Sequence, residues 1–171
     1  TVYSPSSYEG LKHAMQQALY SESKLVAVRY PRGAQRAIPE SIKPTFADFD
    51  VFGDENAEKA IITYGRTFSA CAFAYEKLVK LIKLNRIIPV CEGAVEAAKD
   101  CKDVYFFEEG IRRGGAGEGF LFDLSKAGFS GKYHLRAIEN GFVKQASVES
   151  LLHKYGFDEE GVLSFVTSAE D

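Results

Sequence analysis

Residues 104–124 read VYFFEEGIRRGGAGEGFLFDL: an apolar run, a loop holding Gly114, Gly115, Gly117 and Gly119, and a run with helical spacing. Strand, glycine loop and helix, in that order, is how phosphate-cradling loops are built. The pattern here is G-G-x-G-x-G. It is neither the G-x-G-x-x-G of dinucleotide domains nor a P-loop with its closing Gly-Lys-Ser/Thr. Glu108, Glu109 and Glu118 stand beside it and would repel a phosphate, though Arg112 and Arg113 could offset them. These residues favour a structural reading: the glycines allow a tight reversal and close packing of the next helix on a sheet. Glu108 and Glu109, if strand-borne, face opposite sides at the strand's carboxyl end, where α/β sheets place ligands. A helix cap or an interface is the commoner fate of such a pair.

Working outward, apolar patterning predicts strands at 59–64, 80–85, 103–109 and 133–138. It predicts helices near 66–78, 91–100, 117–127, 147–155 and 158–168. Alternation at this spacing implies an α/β fold with a mostly parallel sheet and helices on both faces. Upstream, Thr1–Tyr3 reads as the stub of a strand. SSYEGLKHAMQQALY reads as a helix capped by Ser6 or Ser7, with Tyr8, Leu11, Met15, Ala18 and Leu19 as its inward stripe. LVAVRY (25–30) is a continuous apolar strand of the kind buried on both faces in a parallel sheet. From Pro31 to Asp50 come three prolines and no period, which reads as a linker. The first thirty residues therefore look like the end of a domain whose beginning is missing.

At 171 residues the chain is long enough to bury a real core. Its formal charge is 21 − 24 = −3, so no basic excess argues for nucleic acid. No apolar run of membrane-spanning length and no signal peptide occur, which makes the cytoplasm the expected location. Cys71, Cys91 and Cys101 form no C-x-x-C pair and fit free thiols in a reducing compartment. His13, opposite the apolar stripe of its helix, is expected to be solvated. His134 and His153 are expected to be structural, and no nucleophile or metal-protease motif is present.

VRYPRG (28–33) carries more information. The strand runs straight into Tyr-Pro-Arg-Gly, so Pro31 stiffens the exit, Gly33 allows a turn, and Arg32 stands at the sheet's ligand edge. A guanidinium there suits a phosphate or carboxylate, which its planar fork binds through paired hydrogen bonds. An interdomain surface salt bridge is the alternative, and residue types alone do not separate the two.

Taken together, these residues resemble the transketolase-like, thiamine-diphosphate-dependent enzymes, and within them the 1-deoxy-D-xylulose-5-phosphate synthase family. SPSSYEGLKHAMQQAL and VAVRYPRG are similar to the last helix and strand of that family's pyrimidine-binding domain. AIITYG, KLIKLNRIIPV and VYFFEEGIRRGGAGEG are similar to its C-terminal domain, and AIENGFVKQASVESLLHKYGFDEEGV to its closing segment. The resemblance implies that residues 1–31 are the tail of a pyrimidine-binding domain, 32–50 a linker, and 51–171 a transketolase-like C-terminal domain. That domain would be a three-layer α/β/α unit with a five-stranded mixed sheet in which one strand runs antiparallel.

The resemblance further implies a parent enzyme that condenses pyruvate with glyceraldehyde 3-phosphate, using thiamine diphosphate and Mg2+, on the way to isoprenoids, thiamine and pyridoxal. Arg32 matches the family arginine on the aldehyde's phosphate; Arg29 and Tyr30 flank it without a role. The glycine loop would be a packing device that binds no cofactor. The family's Gly-Asp-Gly metal motif has only Gly53-Asp54-Glu55-Asn56 as an echo, and the activating glutamate would lie upstream. The chain alone is thus expected to be an inactive fragment that binds no cofactor and no metal. Its partners would be the remaining domains of the parent, in a homo-oligomer. Ile88-Pro89-Val90-Cys91 and Ala137-Ile138-Glu139-Asn140 depart from the family's usual residues. A stand-alone binding or assembly module, or a split subunit of a transketolase or 2-oxo-acid dehydrogenase, are the other readings.

Overall fold

The computed structural model describes residues 1–20, 25–75 and 79–168. In chain order the elements are β1 (Val2–Tyr3), α1 (Tyr8–Tyr20), β2 (Ala27–Val28), β3 (Phe49–Phe52), β4 (Lys59–Tyr64), α2 (Thr67–Ala74) and β5 (Val79–Leu84). There follow β6 (Arg86–Ile88), α3 (Glu92–Ala98), β7 (Asp103–Ile111), α4 (Ala116–Lys126), β8 (Lys132–Ile138), α5 (Val148–Tyr155) and α6 (Glu159–Thr167). Five strands form one sheet in the order β3-β5-β4-β7-β8, with β3 antiparallel to β5 and the other neighbours parallel. This is the mixed sheet the resemblance implies. The helix expected at 66–78 ends as α2 at Ala74, and the last three positions of that expectation lie outside the described residues.

Alternation along the central strands builds the three layers. Ala60 and Ile62 of β4, Ile82 of β5, and Val104 and Phe106 of β7 turn to one face, under Ala94, Val95 and Ala98 of α3 and Phe120 and Leu124 of α4. Ile61, Leu81, Tyr105 and Phe107 turn to the other, under Phe68 and Cys71 of α2, Leu152 of α5, and Val162 and Val166 of α6. Burial raises all three thiols: Cys71 is pushed up to about 12 and Cys91 to about 11, and Cys101 also rises. A thiol-specific disulfide reagent at neutral pH should therefore titrate no cysteine in the folded chain and three in denaturant. Rapid labelling of one thiol without denaturant would contradict this packing.

Sequence patterning passed over β3 and β6. β3 falls at the end of the stretch that reads as linker, and a buried ion pair fastens it. Asp50 and Lys83 are register partners, with Oδ2 and Nζ 3.5 Å apart. Asp50 also accepts hydrogen bonds from the Thr45 amide (2.9 Å) and hydroxyl (2.6 Å) and from Asn85 Nδ2 (3.2 Å). β6 follows β5 after Asn85 and leaves the large sheet to pair antiparallel with β1, which pairs parallel with β2. β1 and β2 of the first thirty residues thus complete a three-stranded satellite sheet with β6, whose chain continues directly from β5 of the larger sheet.

Two expectations for this region are corrected. The strand expected over 25–30 is regular only at Ala27–Val28, at an edge of the satellite sheet, with Leu25 90% and Tyr30 61% exposed. A two-residue edge strand has no second layer to bury both its faces. On α1 the expected inward stripe is inward only in part: Leu11 and Ala18 are half-buried, Tyr8, Met15 and Leu19 are exposed, and Ala14 is the buried residue. The helix presents its small and polar side to the fold. His13, expected in solvent, is half-buried, stacks on Phe46 at 5.3 Å between centroids, and hydrogen-bonds with Gln17. Ser7 receives the Gly10 amide at 3.0 Å, as its capping role requires.

Candidate functional site

The glycine loop surrounds a carboxylate from its own strand. Val104 and Phe106 turn to the α4 face of β7, so Glu108 follows them, and Glu108 is 1% exposed. Its carboxylate receives the Ala116 amide at 2.9 Å, the Gly117 amide at 3.3 Å and the Tyr64 hydroxyl at 3.0 Å. Ala116 and Gly117 open α4, so Glu108 occupies the position at a helix N-terminus that a phosphate takes in nucleotide loops. Burial pushes the Glu108 carboxyl above the ordinary glutamate range, partly opposed by these hydrogen bonds and by Arg29. Burial, then the neighbouring Glu108 charge, likewise raises the Tyr64 phenol. Glu118 hydrogen-bonds the Gly114 amide at 2.7 Å, and Arg112 pairs with Glu139 at 2.6 Å.

The seat leaves no room for a side chain at Gly115, and the packing above it crowds Gly117. A Cβ on Gly115 would lie 2.4 Å from Glu108 Oε1 and 2.4 Å from the Ile111 carbonyl oxygen. One on Gly117 would lie 2.5 Å from Leu135 Cδ1. Gly115→Ala is expected to destabilise the chain by about 2 kcal/mol through overpacking, read as a lower urea midpoint at unchanged slope. An unchanged midpoint would show that the loop tolerates a side chain there.

Next to this seat, the carboxyl ends of β2, β4 and β7 converge on a cleft of about 180 Å³ bordered by Arg29, Arg32, Tyr64, Arg66 and Glu109. Arg29 donates to the Glu109 carbonyl oxygen at 2.6 Å, and its guanidinium stands 5.4 Å from the centre of the Tyr64 ring. Arg66 donates to the Arg32 carbonyl oxygen at 3.2 Å and faces the Glu109 carboxylate at 3.6 Å. The Arg32 side chain is exposed and also borders a larger cleft of about 490 Å³, formed with Tyr8, Leu11, Tyr30 and Gln35. Three arginines against one surface carboxylate leave the rim cationic, a setting suited to an oxyanion.

Of the sequence candidates, Arg32 and Glu109 meet at this cleft and Glu108 lies beneath it. Arg29, which reads as a flank without a role, ties the satellite sheet to the large one. Tyr64 and Arg66 were missed. The signal was available, since Tyr64-Gly65-Arg66 ends a core strand with the same Tyr-x-Arg pattern as Tyr30-Pro31-Arg32. His134 pairs with Asp103 at 2.8 Å and stacks on Tyr105, and His153 pairs with Asp158 at 2.7 Å. Both pairings hold the imidazoles within the fold. Asp54 accepts the Asn56 amide at 2.9 Å inside the turn between β3 and β4. Among the described residues no group of three or more His, Cys, Asp or Glu could hold a metal ion. The residues present do not fit a diphosphate–metal site. No helix among the described residues is long and apolar enough to cross a membrane.

No family model matches the chain. Comparison with curated proteins does find relatives. A 1-deoxy-D-xylulose-5-phosphate synthase of Bacteroides fragilis is 26% identical over 179 residues, covering 98% of this chain, and one of Thermomicrobium roseum is 26% identical over 94% of it. The chain is similar to the 1-deoxy-D-xylulose-5-phosphate synthases. It spans 27% of the length of each of these two synthases. Among solved structures, a split-gene transketolase described as an inactive beta4 tetramer superposes with a TM-score of 0.75 at 18% identity, over 98% of this chain and 56% of that one. The transketolase of Campylobacter jejuni superposes with a TM-score of 0.72 at 13% identity, over 98% of this chain and 26% of its own. The fold is transketolase-like, and the similarity to the synthases runs across the satellite sheet and the large sheet alike.

Proposed function

We propose that this chain is the C-terminal part of a thiamine-diphosphate-dependent synthase that condenses pyruvate with glyceraldehyde 3-phosphate, releasing carbon dioxide and forming 1-deoxy-D-xylulose 5-phosphate. The observation that carries the reading is similarity to such synthases over 94–98% of the chain, with Arg32 at a cationic cleft where two sheets meet. In this reading Arg32 holds the phosphate of the acceptor aldehyde. In the same reading the thiamine ring and its metal are held by other parts of the protein. The large sheet supports the assembly, and the exposed face of α1 with Tyr8, Met15 and Leu19 packs on a neighbouring domain.

The complete reading frame containing this chain, expressed and supplied with thiamine diphosphate, Mg2+, pyruvate and glyceraldehyde 3-phosphate, should release carbon dioxide and yield 1-deoxy-D-xylulose 5-phosphate. Two-carbon transfer from a ketose phosphate without pyruvate turnover would show a transketolase in its place. With titration calorimetry, the 171-residue chain alone should give no saturable heat with thiamine diphosphate and Mg2+. A stoichiometric isotherm would refute the division of labour.

A further inference from the structure

We infer that Arg66 is a positioning residue for Arg32, so that the large sheet sets the geometry of the acceptor site as well as supporting it. The inference rests on the function proposed above. Residues 29–37 leave β2 with Pro31 fixing one backbone angle and Gly33 at φ 114°, a conformation that suits a turn. Three hydrogen bonds that use main-chain carbonyls as acceptors pin this segment to β7 and to the start of α2, and Arg36 adds a side-chain bond to Glu149 of α5. Arg29 donates to the Glu109 carbonyl at one end, Ser69 donates to the Ala37 carbonyl (2.6 Å) at the other, and Arg66 donates to the Arg32 carbonyl between them.

Arg66 is the pin at the residue that matters. Fixing the Arg32 carbonyl fixes the adjoining peptide plane, and with it the direction in which the Arg32 side chain leaves the backbone. A clamp on a phosphate needs that direction held closely, because a displacement of about 1 Å is costly at a reacting centre. Arg66 also balances the Glu109 carboxylate (3.6 Å), which would otherwise present bare negative charge at the rim where the phosphate enters. One guanidinium serves both groups through two different nitrogens, Nη2 and Nε. An ammonium has no such fork.

The test has two arms. In the 171-residue chain, amide order parameters at Arg32 and Gly33 should fall in Arg66→Ala and fall less in Arg66→Lys; unchanged values in both variants would overturn the inference. In the complete synthase, Arg66→Ala should lower kcat/KM for glyceraldehyde 3-phosphate about tenfold, chiefly through KM, and far less for unphosphorylated glyceraldehyde. The Arg32→Ala/Arg66→Ala double variant should be no worse than Arg32→Ala, because a positioning residue has nothing left to position. If Arg32→Ala discriminates between the two aldehydes and Arg66→Ala does not, the positioning role falls and the phosphate clamp stands. If Arg32→Ala itself shows no discrimination, the clamp reading has failed, and the positioning role with it. Should Arg66→Ala not fold, Arg66→Lys, expected to show an intermediate loss on the phosphorylated aldehyde alone, carries both arms.

Discussion

Replacing Glu108 by alanine is expected to lower the unfolding free energy by about 3–5 kcal/mol, among the largest effects of any single change outside a fully apolar core site. Three donors lose their acceptor at once: two amides in the first turn of α4 and the Tyr64 hydroxyl. Each buried donor left unsatisfied costs about 1–3 kcal/mol, and water entering the vacated space would recover part of it. For a chain of this size the melting temperature should drop by roughly 10–15 °C. Glu108→Gln keeps the shape and one acceptor oxygen, so it should cost less than half as much. The pH dependence follows from the raised carboxyl. A glutamate whose folded pKa lies above its unfolded value contributes stability that is complete below the unfolded value and is lost as pH rises through the folded one. Glutamine has no such dependence, so the deficit of Glu108→Gln relative to the parent should narrow as pH rises above the ordinary glutamate range. A deficit that widens would mean that the seat favours the ionised carboxylate. Urea titrations of the two chains between pH 4 and 8 decide it.

The large sheet was legible because its central strands alternate two-sided apolar character with helical runs. Residues 59–64 and 103–109 announce themselves as continuous apolar segments, and β4 and the start of β7 coincide with them. β3 was not legible because its inward residue is Asp50, and a charge in the middle of FDVF reads as a solvated turn. Its cross-strand pairing with Lys83, thirty-three positions away, together with hydrogen bonds from Thr45 and Asn85, makes burial tolerable. The stripe on α1 misled for the opposite reason. Apolar periodicity shows that a face wants cover but not what covers it, and among the described residues Tyr8, Met15 and Leu19 stay exposed. At the site, the glycine cluster could be read as packing from its mismatched spacing and acidic neighbours. That one of those neighbours is itself the anion in the loop emerges only when Tyr64, Glu108 and the start of α4 are brought together. The Arg66–Arg32 contact spans two sheets through a backbone carbonyl, which no residue pattern encodes.

The proposed clamp of Arg32 on the phosphate of an aldehyde acceptor is tested by comparing two aldehydes in the protein made from the complete reading frame. With Arg32 as the clamp, Arg32→Ala should remove a charge-assisted, two-pronged contact worth about 2–4 kcal/mol in a partly enclosed site. That corresponds to roughly 30- to 1000-fold in kcat/KM for glyceraldehyde 3-phosphate. Arg32→Lys should recover part of the loss, since an ammonium keeps the charge without the fork. Carbon dioxide release from pyruvate in the absence of acceptor should change little, because the clamp touches the acceptor alone. With unphosphorylated glyceraldehyde, the account predicts that parent and Arg32→Ala differ by less than about threefold. An equal loss with both aldehydes would contradict it and make Arg32 a strut between the two sheets.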